Sequence, residues 1–329
     1  MKKFLTLATA AVMGFACIGA SACKDDKADY TVGIVQLVTH DALDAATQGF
    51  KDALTDKLED AGKTVKFDYQ NASNDIPLCT TIANTFVSKK VDLIMANATP
   101  ALQAAANMTK NIPILGTSIT DYGVALGIEN FNGTVGTNVS GTADLAPLDE
   151  QATMMVDLLD LTAEDKVAIL YCSAEPNSKY QADVVKSELA EKSITADIQT
   201  FVDSTDLVAT CNTIVAGNYD AVYIPTDNTV ASSTAIIDNI LSPADIPVFA
   251  GEEGICKGCG FATLSISYYN IGAKAGEMAA EILLGKADIR EMAIAYDQEP
   301  VKKYNAKICA EFGITIPDGY TVIAGTELE

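Results

Sequence analysis

The only histidine of the chain, His40, follows an apolar run at residues 32–38 and is flanked by Asp41 and Asp44. An imidazole beside carboxylates can serve as a general base, a metal ligand, a contact to a bound molecule or a turn residue. A base needs a nucleophile to activate. The chain has no Gly-x-Ser-x-Gly elbow and no Walker phosphate loop. After the first apolar run the turn carries Thr39-His40, not the glycines of a dinucleotide fingerprint. A zinc site takes about four ligands, and no second histidine is available to supply one. The expected use of His40 is therefore a cleft contact or a turn, and no cofactor or metal is implied.

Other polar groups recur in the same kind of place, directly after short apolar runs. They include Asn97-Ala98-Thr99, Thr117-Ser118-Ile119-Thr120-Asp121, the segment 172–178 with Glu175, Asn177 and Ser178, Thr226-Asp227-Asn228, and Gly251-Glu252-Glu253. The apolar runs at 32–38, 65–69, 91–95 and 112–115 read as strands. Between them, Leu43, Ala46, Phe50, Leu54 and Leu58 recur every three or four residues, as on one helix face. Further helices are expected from Asp75-Ile-Pro77 to about residue 88 and from Thr99-Pro100, with Thr99 as N-cap. Asp41 is the expected N-cap of the first helix. Strands alternating with helices imply a parallel sheet covered on both faces.

The unit then repeats. Runs at 167–171, 220–224 and 246–250 follow the order and spacing of 32–36, 92–96 and 112–116, with helical patterns at 181–192 and 206–216 between them. The expected fold class is α/β, with two similar Rossmann-like lobes built on parallel sheets. Ligands bind beyond the carboxyl ends of parallel strands. The polar loops occupy those ends, so they should line a cleft between the lobes.

Composition restricts what enters it. Forty-four acids stand against 22 bases, a formal charge of −22. Such a surface repels phosphate backbones, so nucleic acid is not an expected partner. Arg290 is the only arginine, and it lies far from the loops in sequence. A carboxylate in the cleft would be held by helix N-termini and by hydroxyl or amide donors such as Thr99, Ser118, Thr120, Asn177 and Ser178. An ammonium would find acceptors in Asp121, Glu175, Asp227 and Glu252. That arithmetic favours a zwitterion. Tyr122 and Tyr268 could supply rings, whereas Tyr171 and Tyr223 lie within strands and read as core.

Residues 1–22 read as an export signal: Lys2 and Lys3, an apolar stretch, then Ala20-Ser21-Ala22 before Cys23. That ending resembles the lipobox of bacterial lipoproteins, in which the cysteine is lipidated. Residues 23–29 form a charged tether, so membrane contact is expected through an N-terminal lipid anchor. Six cysteines remain. Cys256-Lys-Gly-Cys259 is the close pair, open to a local disulfide, two free thiols, or a redox or zinc site.

In the motifs Val91-Asp-Leu-Ile-Met-Ala-Asn-Ala-Thr-Pro-Ala101, His40-Asp41-Ala-Leu-Asp44, Asn138-Val-Ser-Gly141, Ser173-Ala-Glu-Pro-Asn-Ser178, Asp227-Asn228 and Tyr268-Tyr-Asn-Ile-Gly272, the chain resembles ABC-transporter substrate-binding lipoproteins of the tryptophan/tyrosine type. The likeness spans almost the whole mature chain. Asp41, where that family often has proline, Glu252-Glu253 and Cys256-Lys-Gly-Cys259 depart from it. The resemblance implies a type I periplasmic-binding-protein fold with hinge crossings near 138–147, 259–267 and 293–297. Lobe 1 would then comprise 30–140 plus 268–292, and lobe 2 would comprise 141–267 plus 293–329. Gly-rich stretches at 127–141 and 251–260 fit hinges. The implied function is capture of a small zwitterionic solute, an aromatic amino acid, by lobe closure, with delivery to an ABC permease and no bond chemistry. Alternatives are a ligand-sensing lipoprotein for a membrane receptor and a nucleoside-binding lipoprotein of an ABC importer.

Overall fold

A computed structural model describes residues 28–297 and 299–328. The signal, Cys23 and most of the tether lie outside the described residues. Lobe 1 opens with β1 (Tyr30–Gln36), α1 (Asp41–Asp60), β2 (Val65–Asn71), α2 (Ile76–Lys89) and β3 (Leu93–Asn97). It continues through α3 (Thr99–Met108), β4 (Ile114–Ile119), α4 (Tyr122–Leu126) and β5 (Val139–Ala143). Lobe 2 follows with α5 (Leu148–Leu159), β6 (Lys166–Cys172), α6 (Pro176–Glu191), β7 (Thr195–Phe201), α7 (Ser204–Ala216) and β8 (Ala221–Ile224). Then come α8 (Asn228–Ala231), α9 (Thr234–Leu241), β9 (Val248–Ala250), α10 (Glu253–Cys259) and β10 (Ala262–Ser265). The chain next returns to lobe 1 for α11 (Tyr268–Leu283) and β11 (Ala295–Tyr296), and ends in lobe 2 with β12 (Val301–Tyr304), α12 (Ala306–Phe312) and β13 (Thr321–Val322).

Among the described residues one sheet has the order β11-β5-β4-β3-β1-β2 and the other β13-β12-β10-β9-β8-β6-β7. All pairings within these sheets are parallel except β10 with β12. Each sheet is covered on both faces, which is why its central strands read as unbroken apolar runs, while β2, β7 and β12 toward the edges are mixed. The expected strand starts at 91 and 112 fall two residues early. Val91 and Ile112 pack from the preceding loops, while pairing begins at Leu93 and Ile114.

The periodicity of α1 is realised: Leu43, Ala46, Phe50, Leu54 and Leu58 are all buried. Full burial of a side chain such as Phe50 is worth roughly 2 kcal/mol. Across from them lies α11. A Cβ on Gly272 would collide with the carbonyl oxygen of Ala46, and one on Gly49 with that of Tyr269. The two helices therefore touch backbone to backbone. This contact fixes α11 in lobe 1 although it follows a lobe 2 strand.

The crossings are tighter than expected. β5 belongs entirely to the lobe 1 sheet, so the first crossing is the segment 144–147, not 140/141. The second is the short link 266–267 between β10 and α11. Ala295 and Tyr296 pair with Thr142 and Ala143 of β5, so the chain stays in lobe 1 past 292 and crosses between Tyr296 and Val301. The stretch 251–260 is not a hinge. Most of it is α10, capped by Glu252.

Two cap assignments also change. His40, not Asp41, occupies the N-cap of α1, and Asp41 is its exposed first residue. Ala98 occupies the N-cap of α3, which places Thr99 and Pro100 inside the first turn.

Candidate functional site

The loops after β1, β3 and β4 in lobe 1 face those after β6, β8 and β9 in lobe 2. Nine of the twelve expected residues are buried: Thr99, Ser118, Thr120, Glu175, Asn177, Ser178, Asp227, Asn228 and Glu252. His40 and Asp121 are partly exposed and Asp41 is exposed.

Among the described residues four side-chain bonds join the lobes. His40 Nε2 lies 3.2 Å from Asn228 Oδ1. Asn74 Nδ2 donates to Thr229 Oγ1 at 3.1 Å. Gln181 Nε2 donates to Thr120 Oγ1 at 3.1 Å. Lys257 pairs with Asp41 at 3.0 Å, an exposed ion pair worth little by itself. The lobes are closed on one another.

The carboxylates expected to receive an ammonium are already engaged. Glu175 accepts from the backbone N–H and side-chain amide of Asn228 through one oxygen. Its other oxygen accepts from the N–H and hydroxyl of Thr229. With a longer bond from Asn177 Nδ2 at 3.4 Å, these donors use the capacity of one carboxylate. Asp227 accepts from Val230 N, capping α8, and from Cys172 N. Glu252 caps α10 through Gly254 N and Ile255 N. Asp121 caps α4 through Val124 N. Each is a carboxyl group at a helix start, where free N–H groups find an acceptor.

Burial perturbs several of these groups. It pushes the Glu252 carboxyl up to about 7. It pushes Asp227 upward as well, with the neighbouring Glu175 charge adding to the rise. Asp144, in the first crossing, is pushed up to about 6 by burial, against hydrogen bonds from Thr120 and Tyr268. Burial lowers His40, while the bond to Asn228 and the Glu175, Asp44 and Asp41 charges oppose the fall.

Buried polar atoms normally find partners. Among the described residues the exceptions are His40 Nδ1, Asn97 Oδ1, Ser118 Oγ, Asn177 Oδ1 and Thr263 Oγ1. The first four lie at cleft-facing strand ends or in the first turn of α6. Thr263 lies within β10, and nothing in the cleft accounts for it. The amide orientations follow from the neighbours. Asn97 Nδ2 donates to the carbonyl of Leu43, and Asn177 Nδ2 to that of Thr226, so each Oδ1 is the free atom. Ser178 Oγ donates to the Thr226 carbonyl as well and has no spare proton for a ligand.

The backbone is strained at the same place. Ala98 has φ 92° and ψ 153°, and Ser118 has φ 57°. These conformations cost of order 1–3 kcal/mol for a residue with a Cβ and concentrate at functional sites. Ala98 directly follows β3, and Ser118 is the next-to-last residue of the adjacent β4. Ser118 sits where the register of β4 with β5 shifts, between Gly116 and Ile119, and its hydroxyl is unpaired.

Asp41 and Glu252 stand apart from that group. Both line a cavity of ≈ 300 Å³ on the flank, between α1 and α11 on one side and α10 and β12 on the other. The rings do not line up in the cleft as expected. Tyr122 donates to the Thr142 carbonyl, Tyr268 to Asp144 and Tyr223 to Gln151. Tyr171 and Tyr223 are core, as their strand positions imply. All six cysteines of the described chain are free and buried, so Cys256 and Cys259 form no disulfide. Each of the two thiols donates along α10, to Gly260 O and Ile255 O respectively. Asn97 lies in a loop expected at the cleft, whereas Asn74, Gln181, Asp144 and Lys257 were not expected there from the sequence. The polar run Asn71-Ala-Ser-Asn74 after β2 was the available signal for Asn74.

A family model described as ABC transporter substrate binding protein matches residues 31–327. A curated relative, the tyrosine-binding protein of Clostridioides difficile strain R20291, is 37% identical over 298 residues, covering 87% of this chain and 85% of that protein. The ABC domain from Streptococcus pneumonia in complex with L-Trp overlays with a TM-score of 0.81 at 27% identity, covering 89% of this chain and all of that one. The ligand-free, open structure of a substrate-binding protein with adhesive properties from Clostridium difficile overlays with 0.65 at 35% identity, covering 89% and 99% of the two chains. The fold therefore superposes better on the ligand-bound form although the sequence is nearer to the open one. The four cross-cleft bonds hold the lobes of this chain together.

Proposed function

Because the chain belongs to the ABC transporter substrate-binding protein family, we propose that its cleft captures an aromatic amino acid, tyrosine or tryptophan, and presents it to an ABC permease. The observation that carries the ligand class is the set of unpaired buried atoms. Three are acceptors: Asn97 Oδ1, Asn177 Oδ1 and His40 Nδ1. They suit an ammonium and take the role first expected of Asp121, Glu175, Asp227 and Glu252. The fourth, the Ser118 hydroxyl, stands on the strand next to the start of α3. The free N–H groups of that first turn and the hydroxyl suit a carboxylate. The names of the relatives support the aromatic side chain. Thr120 and Asn228 serve closure through Gln181 and His40, and Asp41 does so through Lys257.

The protein works outside the cytoplasm, held to the membrane through lipid on Cys23. The sequence of the export signal supports the anchor. Cys23→Ser should release the protein into the soluble fraction, and a variant that stays with membranes overturns the tether.

Thermal shift and calorimetry of the domain from residue 28 onward test the ligand. L-tyrosine and L-tryptophan should raise the melting temperature by mass action. Tyramine, which lacks the carboxylate, and 4-hydroxyphenylpropionate, which lacks the ammonium, should not. A shift with a nucleoside or sugar and none with any amino acid refutes the ligand class.

A further inference from the structure

A chain of buried hydrogen bonds runs from lobe 2 through the cleft into the crossings. The backbone N–H of Thr226 donates to Gln181 Oε1 at 3.2 Å, which fixes the amide of Gln181. Its Nε2 consequently faces lobe 1 and donates to Thr120 Oγ1. The Thr120 hydroxyl proton points the other way, to Asp144 Oδ1 at 3.0 Å. The second oxygen of Asp144 accepts from Tyr268 OH at 3.0 Å. Asp144 begins the first crossing, and its own N–H is bonded to Ile119 O at the end of β4. Tyr268 begins α11 directly after the second crossing. Ser267 N then donates to Asp297 Oδ2 at 2.9 Å, tying the second crossing to the segment that leads into the third.

The polarity of this chain has one consistent direction. A carboxylate at 144 is acceptor-only and receives two hydroxyl protons. It thus holds the proton of Thr120 away from the cleft and leaves a lone pair for Gln181. An amide at 144 would keep a single acceptor oxygen, so the Thr120 and Tyr268 hydroxyls could no longer both donate to separate oxygens there. Gln181, Thr120 and Asp144 are all buried, so no water replaces a lost partner cheaply.

We propose that Gln181 and Asp144 are positioning residues for ligand capture: through Thr120 and Tyr268 they couple contact across the cleft to the geometry of the first two crossings. Neither needs to touch the ligand. The proposal rests on the reading of the cleft as a capture site, and it adds how the closed register is selected. Ser118, placed above on the ligand, and Thr120 lie together at the end of β4, so a ligand that orders Ser118 also presents Thr120 to Gln181.

The test reads lobe separation directly. Spin labels on Gln70→Cys and Asp206→Cys mark the end of β2 and the first turn of α7, which follows β7; β2 and β7 are the edge strands opposite the crossings. Distances are measured without ligand and with saturating L-tyrosine. The wild type should populate a short distance. Thr120→Val and Gln181→Ala should each lower the ratio of short to long distances about fivefold, the effect of one net hydrogen bond. The double variant should be no more open than the worse single one. Thr120→Ser, which keeps the hydroxyl, should restore closure, and Asp144→Ala, which removes both acceptors, should lower the ratio as Thr120→Val does. The proposal is overturned if Thr120→Val closes normally, if Thr120→Ser is as open as Thr120→Val, if the two single effects add, or if the wild type shows the long distance alone. If L-tyrosine shifts neither the wild-type distances nor its melting temperature, the ligand reading fails, and the relay is judged on the unliganded distances.

Discussion

Nε2 of His40 lies 3.2 Å from Oδ1 of Asn228, across the cleft and 188 residues away in sequence. The Asn228 amide nitrogen donates to Glu175, so its oxygen must face the imidazole. His40 therefore carries its proton on Nε2, and Nδ1 is a bare acceptor sealed from water. One carboxylate, two residues removed, sets the tautomer of the only histidine.

Closure buries the imidazole and lowers its pKa. A protonated ring would bring an unpaired Nδ1–H into the closed cleft. Protonation favours the open lobes, so affinity should hold above about pH 6.5 and fall as the pH drops below it. Calorimetric titrations with L-tyrosine from pH 5 to pH 8 measure this. His40→Asn, which keeps a donor, should flatten the profile, and a profile that slopes equally in His40→Asn removes the histidine from the mechanism.

Stability should show the opposite trend. Asp144, Glu252 and Asp227 all have raised pKa values from burial. A carboxyl raised above its unfolded value of about 4 contributes fully below that value and loses its contribution as the pH rises through the folded one. For Asp144 the rise from 3.8 to about 6 corresponds to on the order of 3 kcal/mol. His40 has the contrary sign and is one group against three. The unliganded melting temperature should rise from about pH 8 to about pH 5, helped by partial neutralisation of a chain whose formal charge is −22. Glu252→Gln should flatten the rise, and a steady fall over that range would contradict the assignment.

Glu175 holds α8 to the start of α6. Glu175→Gln replaces one acceptor oxygen by an amide facing donors, which should cost about 3 kcal/mol in urea denaturation. Ligand affinity should fall with it, because Asn228 loses its orientation. A loss below about 1 kcal/mol, no more than one ordinary hydrogen bond, would show that the loop tolerates the amide.

The α1–α11 contact leaves no space for a side chain. Gly272→Ala should destabilise by about 1–3 kcal/mol, as overpacking does, and should shift α11 relative to lobe 1. The midpoint of urea unfolding reads this. Gly285→Ala provides the contrast: its φ is positive but nothing lies near its Cβ, so strain acts there without collision.

None of the six cysteines in the described chain should react with maleimide in the native protein, since burial raises every thiol. All six should react in guanidinium. Native labelling of Cys256 or Cys259 would reveal opening of α10.

Local chemistry made much of the fold legible. The repeated order of apolar runs, the heptad-like face of α1 and the Asp75 cap of α2 depend on neighbours within a few residues. The polar loops were legible for the same reason, since strand ends are marked by loss of apolar character. The first two crossings fall within the stretches expected for them, but the last lies later than expected because a two-residue strand such as β11 has too little sequence to show periodicity. Its membership is set by pairing with β5, more than 150 residues earlier.

By itself, the sequence determined two parallel α/β lobes, a cleft lined by their strand-end loops, and an electrostatic character unsuited to phosphate. It could not determine which polar groups were left for a ligand. Glu175 looked free until residues 53 and 54 positions onward filled its oxygens. Asn97 and Gln181 looked ordinary until their partners fixed one as an orphan acceptor and the other as a bridge. A hydrogen-bonding group is available only if nothing nearer takes it, and in a two-lobe fold the takers come from distant parts of the chain.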